Sequence, residues 1–83
     1  MEPTKILKYT VMFEKTTEGG YVAYVPLLPG CMTQGDTFED VKENIKDAIS
    51  GYLEVLREDG DDIPLEHEER IAATVTVPVL MNA

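Results

Sequence analysis

Hydrophobic and polar positions alternate with a period of two over Lys5–Lys15. Leu7, Tyr9, Val11 and Phe13 fall on one face, and Ile6, Lys8, Thr10, Met12 and Glu14 fall on the other. Successive side chains of a strand point to opposite sides, so this stretch reads as a first β-strand with one clearly apolar face. The period returns in Tyr21–Val25, where Tyr21, Ala23 and Val25 oppose Val22 and Tyr24. Between the two, Thr16-Thr17-Glu18-Gly19-Gly20 reads as a hairpin turn, because paired glycines enter positive-φ backbone at little steric cost. A short third strand is expected over Cys31–Gly35. The chain reaches it through a corner: Pro26 and Pro29 withhold two backbone donors, and Gly30 permits angles that other residues avoid.

The period then lengthens. Phe38, Val41, Ile45, Ala48, Ile49, Tyr52, Leu53 and Leu56 recur at spacings of three and four, the signature of a helix with one apolar stripe. Thr37 is placed to cap its start, with Asp40 three residues on as a weaker variant of the capping box. Gly60 suits the position just past its end, and Arg57 suits the negative end of the helix dipole. Gly51 lies inside the helix, where glycine costs about 1 kcal/mol relative to alanine unless its missing side chain permits close packing. Asp61-Asp62-Ile63-Pro64 is a linker, and Leu65–Glu69 fits either a loop or a short turn. Period two resumes in Arg70–Val79, with Ile71, Ala73, Val75, Val77 and Val79 on one face. Pro78 places that strand at an edge or at its end. Residues 1–4 and 80–83 read as tails. The expected order is β-β-β-α-β: an α+β, two-layer domain in which one helix lies on a face of a small, mostly antiparallel sheet.

Size and charge narrow what such a domain can do. The 83 residues form a single domain over 1–83, without internal repeats. A chain of this length buries only about 60–65% of its unfolded surface, and self-association is a common remedy. No apolar run approaches the ~18 residues of a membrane span, and the N-terminus lacks the apolar block of a secretory signal. One cysteine makes no internal disulfide, in keeping with a reducing cytoplasm. The net charge is −9, and residues 36–69 alone hold 13 of the 16 acids against three bases. Such a surface repels phosphate backbones, which argues against direct nucleic-acid binding, and it attracts and steers a basic protein.

Candidate chemistry is sparse. His67 is the sole histidine, so there is no His–His metal pair, and it forms no Cys–His pair at ligand spacing; no metal or cofactor is expected. Cys31 at the corner reads as a small buried side chain rather than a nucleophile. No glycine-rich loop is followed by the lysine that phosphate binding requires. Clustered carboxylates can hold Mg²⁺ for nucleases, but here they lie along the helix exterior and linker rather than converging at strand ends. The chain therefore reads as a non-enzyme that acts by contact. The expected docking residues are the outward helix acids Glu39, Glu43 and Asp47, with Pro26, Leu27 and Leu28 of the corner.

Three runs together carry a family resemblance: Tyr21-Val22-Ala23-Tyr24-Val25-Pro26, then Leu28-Pro29-Gly30-Cys31, then Gly35-Asp36-Thr37 ahead of an acidic amphipathic helix. With Gly60 and Ile63-Pro64 after the helix, they resemble the N-terminal domain of HicB-type antitoxins, the UPF0150 group, over roughly residues 6–79. The resemblance implies a partial ribonuclease-H-like β-β-β-α-β fold without the ribonuclease-H carboxylates. It also implies a type II toxin–antitoxin role, in which the antitoxin binds a small basic mRNA-cleaving toxin (HicA-like, of double-stranded-RNA-binding-domain shape) and covers its catalytic histidine. Many such antitoxins add a C-terminal DNA-binding domain, whereas this sequence stops at Ala83 with no basic segment left, so no such domain is expected. The alternative is a homo-oligomeric module, dimer or tetramer, that regulates without a toxin partner.

Overall fold

The computed structural model describes residues 5–68 and 70–82, so the tail assigned to residues 1–4 lies outside the described residues. Three strands, β1 (Met12–Lys15), β2 (Tyr21–Tyr24) and β3 (Met32–Gly35), precede one helix, α1 (Phe38–Asp59). The sheet is antiparallel in the order β1-β2-β3. Met12 faces Tyr24 and Lys15 faces Tyr21 across the first pair, and Tyr21 faces Gly35 across the second. The α+β class and the order β-β-β-α thus stand as expected.

Each junction has a local cause. The β1–β2 turn closes through the Thr16 amide donating to Gly20 O at 3.0 Å and the Gly19 amide to Thr16 O at 3.2 Å, with φ of 93° at Gly19 and 83° at Gly20. At the corner, the Val25 amide donates to Cys31 O, Leu28 to Val25 O and Cys31 to Leu28 O. Tight reciprocal bonding of this kind satisfies a segment in which Pro26 and Pro29 donate nothing. The helix opens on Thr37, whose hydroxyl accepts from the Asp40 amide at 3.0 Å. It closes on Gly60 at φ 75°, with the Gly60 amide on Arg57 O and the Asp61 amide on Leu56 O. Those two bonds are the paired C-terminal bonds of a Schellman cap.

The core is Ala23, Val25, Leu28, Cys31, Val41 and Ile45, with Tyr9, Val11, Phe13, Tyr21, Ala48, Ile49, Tyr52 and Leu53 packed around it. Most of the faces expected of the first two strands and of the helix pack, whereas Leu7 and Phe38 stay partly open to solvent. Gly35 lets the helix sit down on β3: a Cβ there would meet the Val41 backbone nitrogen at 2.6 Å. Gly51 is different, since a Cβ there meets nothing within 4 Å. The helix interior therefore tolerates alanine at 51, and no close packing explains the glycine.

Two expectations about strands need correction. The first strand covers Met12–Lys15 and not Lys5–Lys15. A strand requires a bonded neighbour, and β1 pairs with β2 only as far as Met12↔Tyr24, because the corner carries Val25 toward Cys31. Arg70–Val79 is not a strand: among the described residues no ladder partner lies beside it, and its side chains are exposed. It leaves the domain as an extended arm, and the molecule measures 63 × 29 × 19 Å. The helix accounts for only about 33 Å of any dimension at 1.5 Å per residue.

Candidate functional site

The outward face of α1 is the most strongly charged element. At about 100° per residue, Glu39, Glu43 and Asp47 follow one another up a single row, and Glu54 and Glu58 extend it. That row lies opposite the stripe centred on the buried Val41 and Ile45. Glu39, Glu43 and Asp47 are all exposed, as the amphipathic pattern requires. Lys42 and Lys46 flank the row. Arg57 Nη2 lies 3.6 Å from Glu54 Oε1, an exposed pair of the kind that contributes little to stability. The first turn carries Glu39 and Asp40 and the last carries Arg57, so the charges also complement the helix dipole.

The corner sits against the helix. Tyr52 Oη donates to Pro29 O at 2.9 Å, and Asn44 Nδ2 donates to Gln34 O at 2.9 Å, so α1 is tied both to the corner and to β3. Pro26 is exposed and Leu27 is half-buried. Leu28 is 0% exposed and belongs to the core, so its place among the docking residues is corrected. It positions the corner from beneath. The corner's lack of periodicity explains the misreading, because neither period two nor period 3.6 distinguishes Leu27 from Leu28.

At the helix start, an aromatic cluster that sequence reading left as part of the helix stripe lies half-open to solvent. Phe38 packs on Phe13 at a centroid distance of 5.0 Å and on Tyr21 at 5.9 Å, both tilted, and Lys42 Nζ stands 5.7 Å from the Phe38 ring centre. Tilted ring pairs and a cation over a ring face both follow the aromatic quadrupole.

A clasp unforeseen in the sequence binds the linker to the residues before β1. Tyr9 Oη donates to Pro64 O at 2.6 Å, the Thr10 amide donates to Glu66 Oε1 at 3.0 Å, and the Thr10 hydroxyl bonds Glu66 Oε2. These bonds to Thr10 hold the Glu66 carboxyl below its usual range. Burial, with the Glu66 charge nearby, pushes the Tyr9 phenol up. A groove of about 300 Å³ opens next to the clasp between residues 5–9 and the helix, lined by Leu7, Tyr9, Ile49 and Leu53 with Lys5 and Lys46 at its rim.

Cys31 is buried, and burial raises its thiol pKa, the opposite of what an activated nucleophile shows. His67 is exposed in the linker. Among the described residues no three His, Cys, Asp or Glu side chains are grouped to hold a metal, and no helix is long and apolar enough to cross a membrane. What the arrangement offers is an exposed anionic row on the helix face turned away from the core and the corner, the makings of a contact surface for a cationic protein.

Comparison with known proteins gives the chain a family. The family described as the HicB-like antitoxin of bacterial toxin–antitoxin systems matches residues 9–81. A UPF0150 protein of Synechocystis is 47% identical over 64 residues, covering 77% of this chain and 81% of the relative. Another, from Thermoplasma acidophilum, is 46% identical over 65 residues, covering 78% and 94%. Antitoxin HicB 1 of Photorhabdus laumondii is 41% identical over 61 residues, which cover 74% of this chain and 39% of that longer protein. The matched span takes in the corner, the capped acidic helix and the clasped linker alike, and on that ground the chain belongs to the HicB-like antitoxin family.

Proposed function

We propose that this chain is an antitoxin that binds and neutralises a small basic mRNA-cleaving toxin, a HicA-like ribonuclease, by covering its active surface. The observation that carries this reading is the exposed row of Glu39, Glu43 and Asp47, held on a helix whose opposite face is locked into the core. A cationic partner gains from that row both steering and register, because the helix backbone sets the spacing of the acids. Pro26 and Leu27, on the corner across the helix from that row, supply a separate apolar contact, and Leu28 keeps the corner in shape from within the core. The chain itself catalyses nothing, binds no nucleic acid directly, and acts in the cytoplasm, where the toxin meets its mRNA.

The test is an RNA-cleavage assay with the purified basic protein encoded beside this chain's gene. Adding the chain in stoichiometric amounts is expected to suppress cleavage, and the triple charge reversal Glu39→Lys, Glu43→Lys, Asp47→Lys is expected to restore it. Undiminished cleavage with the unaltered chain would overturn the proposal. A second reading, a homo-oligomeric regulatory module without a toxin, is favoured by the exposed apolar run over residues 71–79. It predicts assembly of the chain alone, read by sedimentation, and no basic ribonuclease encoded nearby.

A further inference from the structure

We propose that the groove between residues 5–9 and α1 binds one free medium-chain fatty acid, its carboxylate held between Lys5 and Lys46. The inference goes beyond the antitoxin reading and does not depend on it. Leu7 and Tyr9 form the apolar face of a segment that stays outside the sheet, and Ile49 and Leu53 of the helix line the same groove. Leu7 is left 38% exposed, and the space between these walls is about 300 Å³. Protein interiors leave few gaps larger than a water molecule, so this is a part of the apolar layer that the chain does not fill. Its volume is at the lower end of the roughly 300–1,000 Å³ of small-molecule sites.

Charge decides which kind of apolar molecule fits. The sequence holds 16 acids against seven bases, yet among the described residues no carboxylate lines this groove. The hollows beside the linker include Glu66, and the one at the β1–β2 turn includes Glu18 and Asp36. Here Lys5 and Lys46 stand at the rim instead, and neither has an ion-pair partner among the described residues. Lys42, one turn before Lys46 on the same flank of α1, is already drawn over the Phe38 ring. Two uncommitted ammonium groups above an apolar floor attract an amphipathic anion and repel an amphipathic cation. They repel a basic toxin too, so the groove and the acid row suit different partners.

The Tyr9 hydroxyl is committed to Pro64 O, so the ring is what that side chain presents to the groove. The space suits a single alkyl chain, which selects a free fatty acid over a two-chain phospholipid. An exposed ion pair contributes little, so the alkyl chain supplies most of the affinity and the lysines orient it. Full burial is worth about fourfold in affinity per methylene, and a groove open on one side gives about twofold.

The experiment titrates the full chain with decanoate, octanoate, decanol and decylammonium, read by calorimetry and by the methyl NMR shifts of Leu7, Ile49 and Leu53. One decanoate should bind per chain with a Kd below about 1 mM, and octanoate should bind about fourfold more weakly. The double reversal Lys5→Glu, Lys46→Glu alters two exposed side chains, so helical circular dichroism should be unchanged. It should weaken decanoate about tenfold and leave decanol as it was. Lys46→Met, which keeps the apolar stem and removes only the charge, should repeat the effect at smaller amplitude and serves if the double variant misfolds. Absence of methyl shifts at about ten times that decanoate concentration would overturn the proposal. So would equal binding of decylammonium at those methyls, indifference to the lysine substitutions, or shifts at Val75 and Leu80 of the arm in their place. Binding that emerges only as the chain is diluted would mean that a second copy occupies the groove, and would overturn it as well. None of these measurements involves a toxin, so the two proposals fail separately.

Discussion

Gly35 and Gly51 show how far apart two glycines of one chain can stand. Sequence alone leaves open which of them permits close packing: Gly35 allows contact between β3 and the helix, and a Cβ at Gly51 would touch nothing. Gly51→Ala should therefore raise stability by about 1 kcal/mol, the helix-propensity difference. In a domain this small that corresponds to a rise in Tm of roughly 4–8 °C, measurable by thermal melting. Gly35→Ala should do the reverse, because its Cβ would sit 2.6 Å from the Val41 nitrogen and force β3 away from α1. Glu66 carries a pH prediction. Its carboxyl is held below the usual range in the folded chain, so the clasp contributes at and above the ordinary carboxylate pKa and is lost as pH falls through the folded value. The Tm difference between the native chain and Glu66→Ala should be present at neutral pH and shrink toward zero in strong acid, below the folded value. A difference that stays constant across that range would refute the role assigned to the carboxylate.

Among the elements, those that local chemistry dictates were legible in the sequence. Thr37 and Gly60 cap the helix where their side-chain chemistry and backbone freedom placed them, and Gly19-Gly20 forms the expected turn. Pairing was not legible, because it depends on what lies alongside. Residues 5–11 and 70–79 both have the alternation of strands, and neither is one here, for want of a neighbour on the bonding edge. The corner gave a mixed result: its position was plain from Pro26, Pro29 and Gly30, but the inward turn of Leu28 was not. Truncating this side chain, Leu28→Ala, should cost about 2–5 kcal/mol in chemical denaturation, the range for emptying a buried leucine site. The same change in Leu27 should cost far less. Equal costs would mean that the corner is not braced from beneath as described.

For the whole molecule, the acid row of the candidate site was readable as an amphipathic pattern, whereas the clasp of Tyr9 and Thr10 to the linker joins residues more than fifty positions apart and left no trace in any local period. The resulting body has an anionic helix on one side and an uncharged arm leading away from it. Such a division suits a protein that works by touching others: charge for a basic partner, apolar surface for its own kind. Long-range attraction between exposed charges is screened over about 8 Å at physiological ionic strength. The most direct measurement is accordingly the affinity of this chain for a small basic ribonuclease of the proposed kind, followed as salt is raised from about 50 to about 500 mM, which shortens that screening length several-fold. The account predicts tight association at low salt that weakens at least tenfold across the range, and a flatter dependence once Glu39, Glu43 and Asp47 are neutralised. Absence of binding at the lowest salt, or binding indifferent to both salt and those three substitutions, would contradict it.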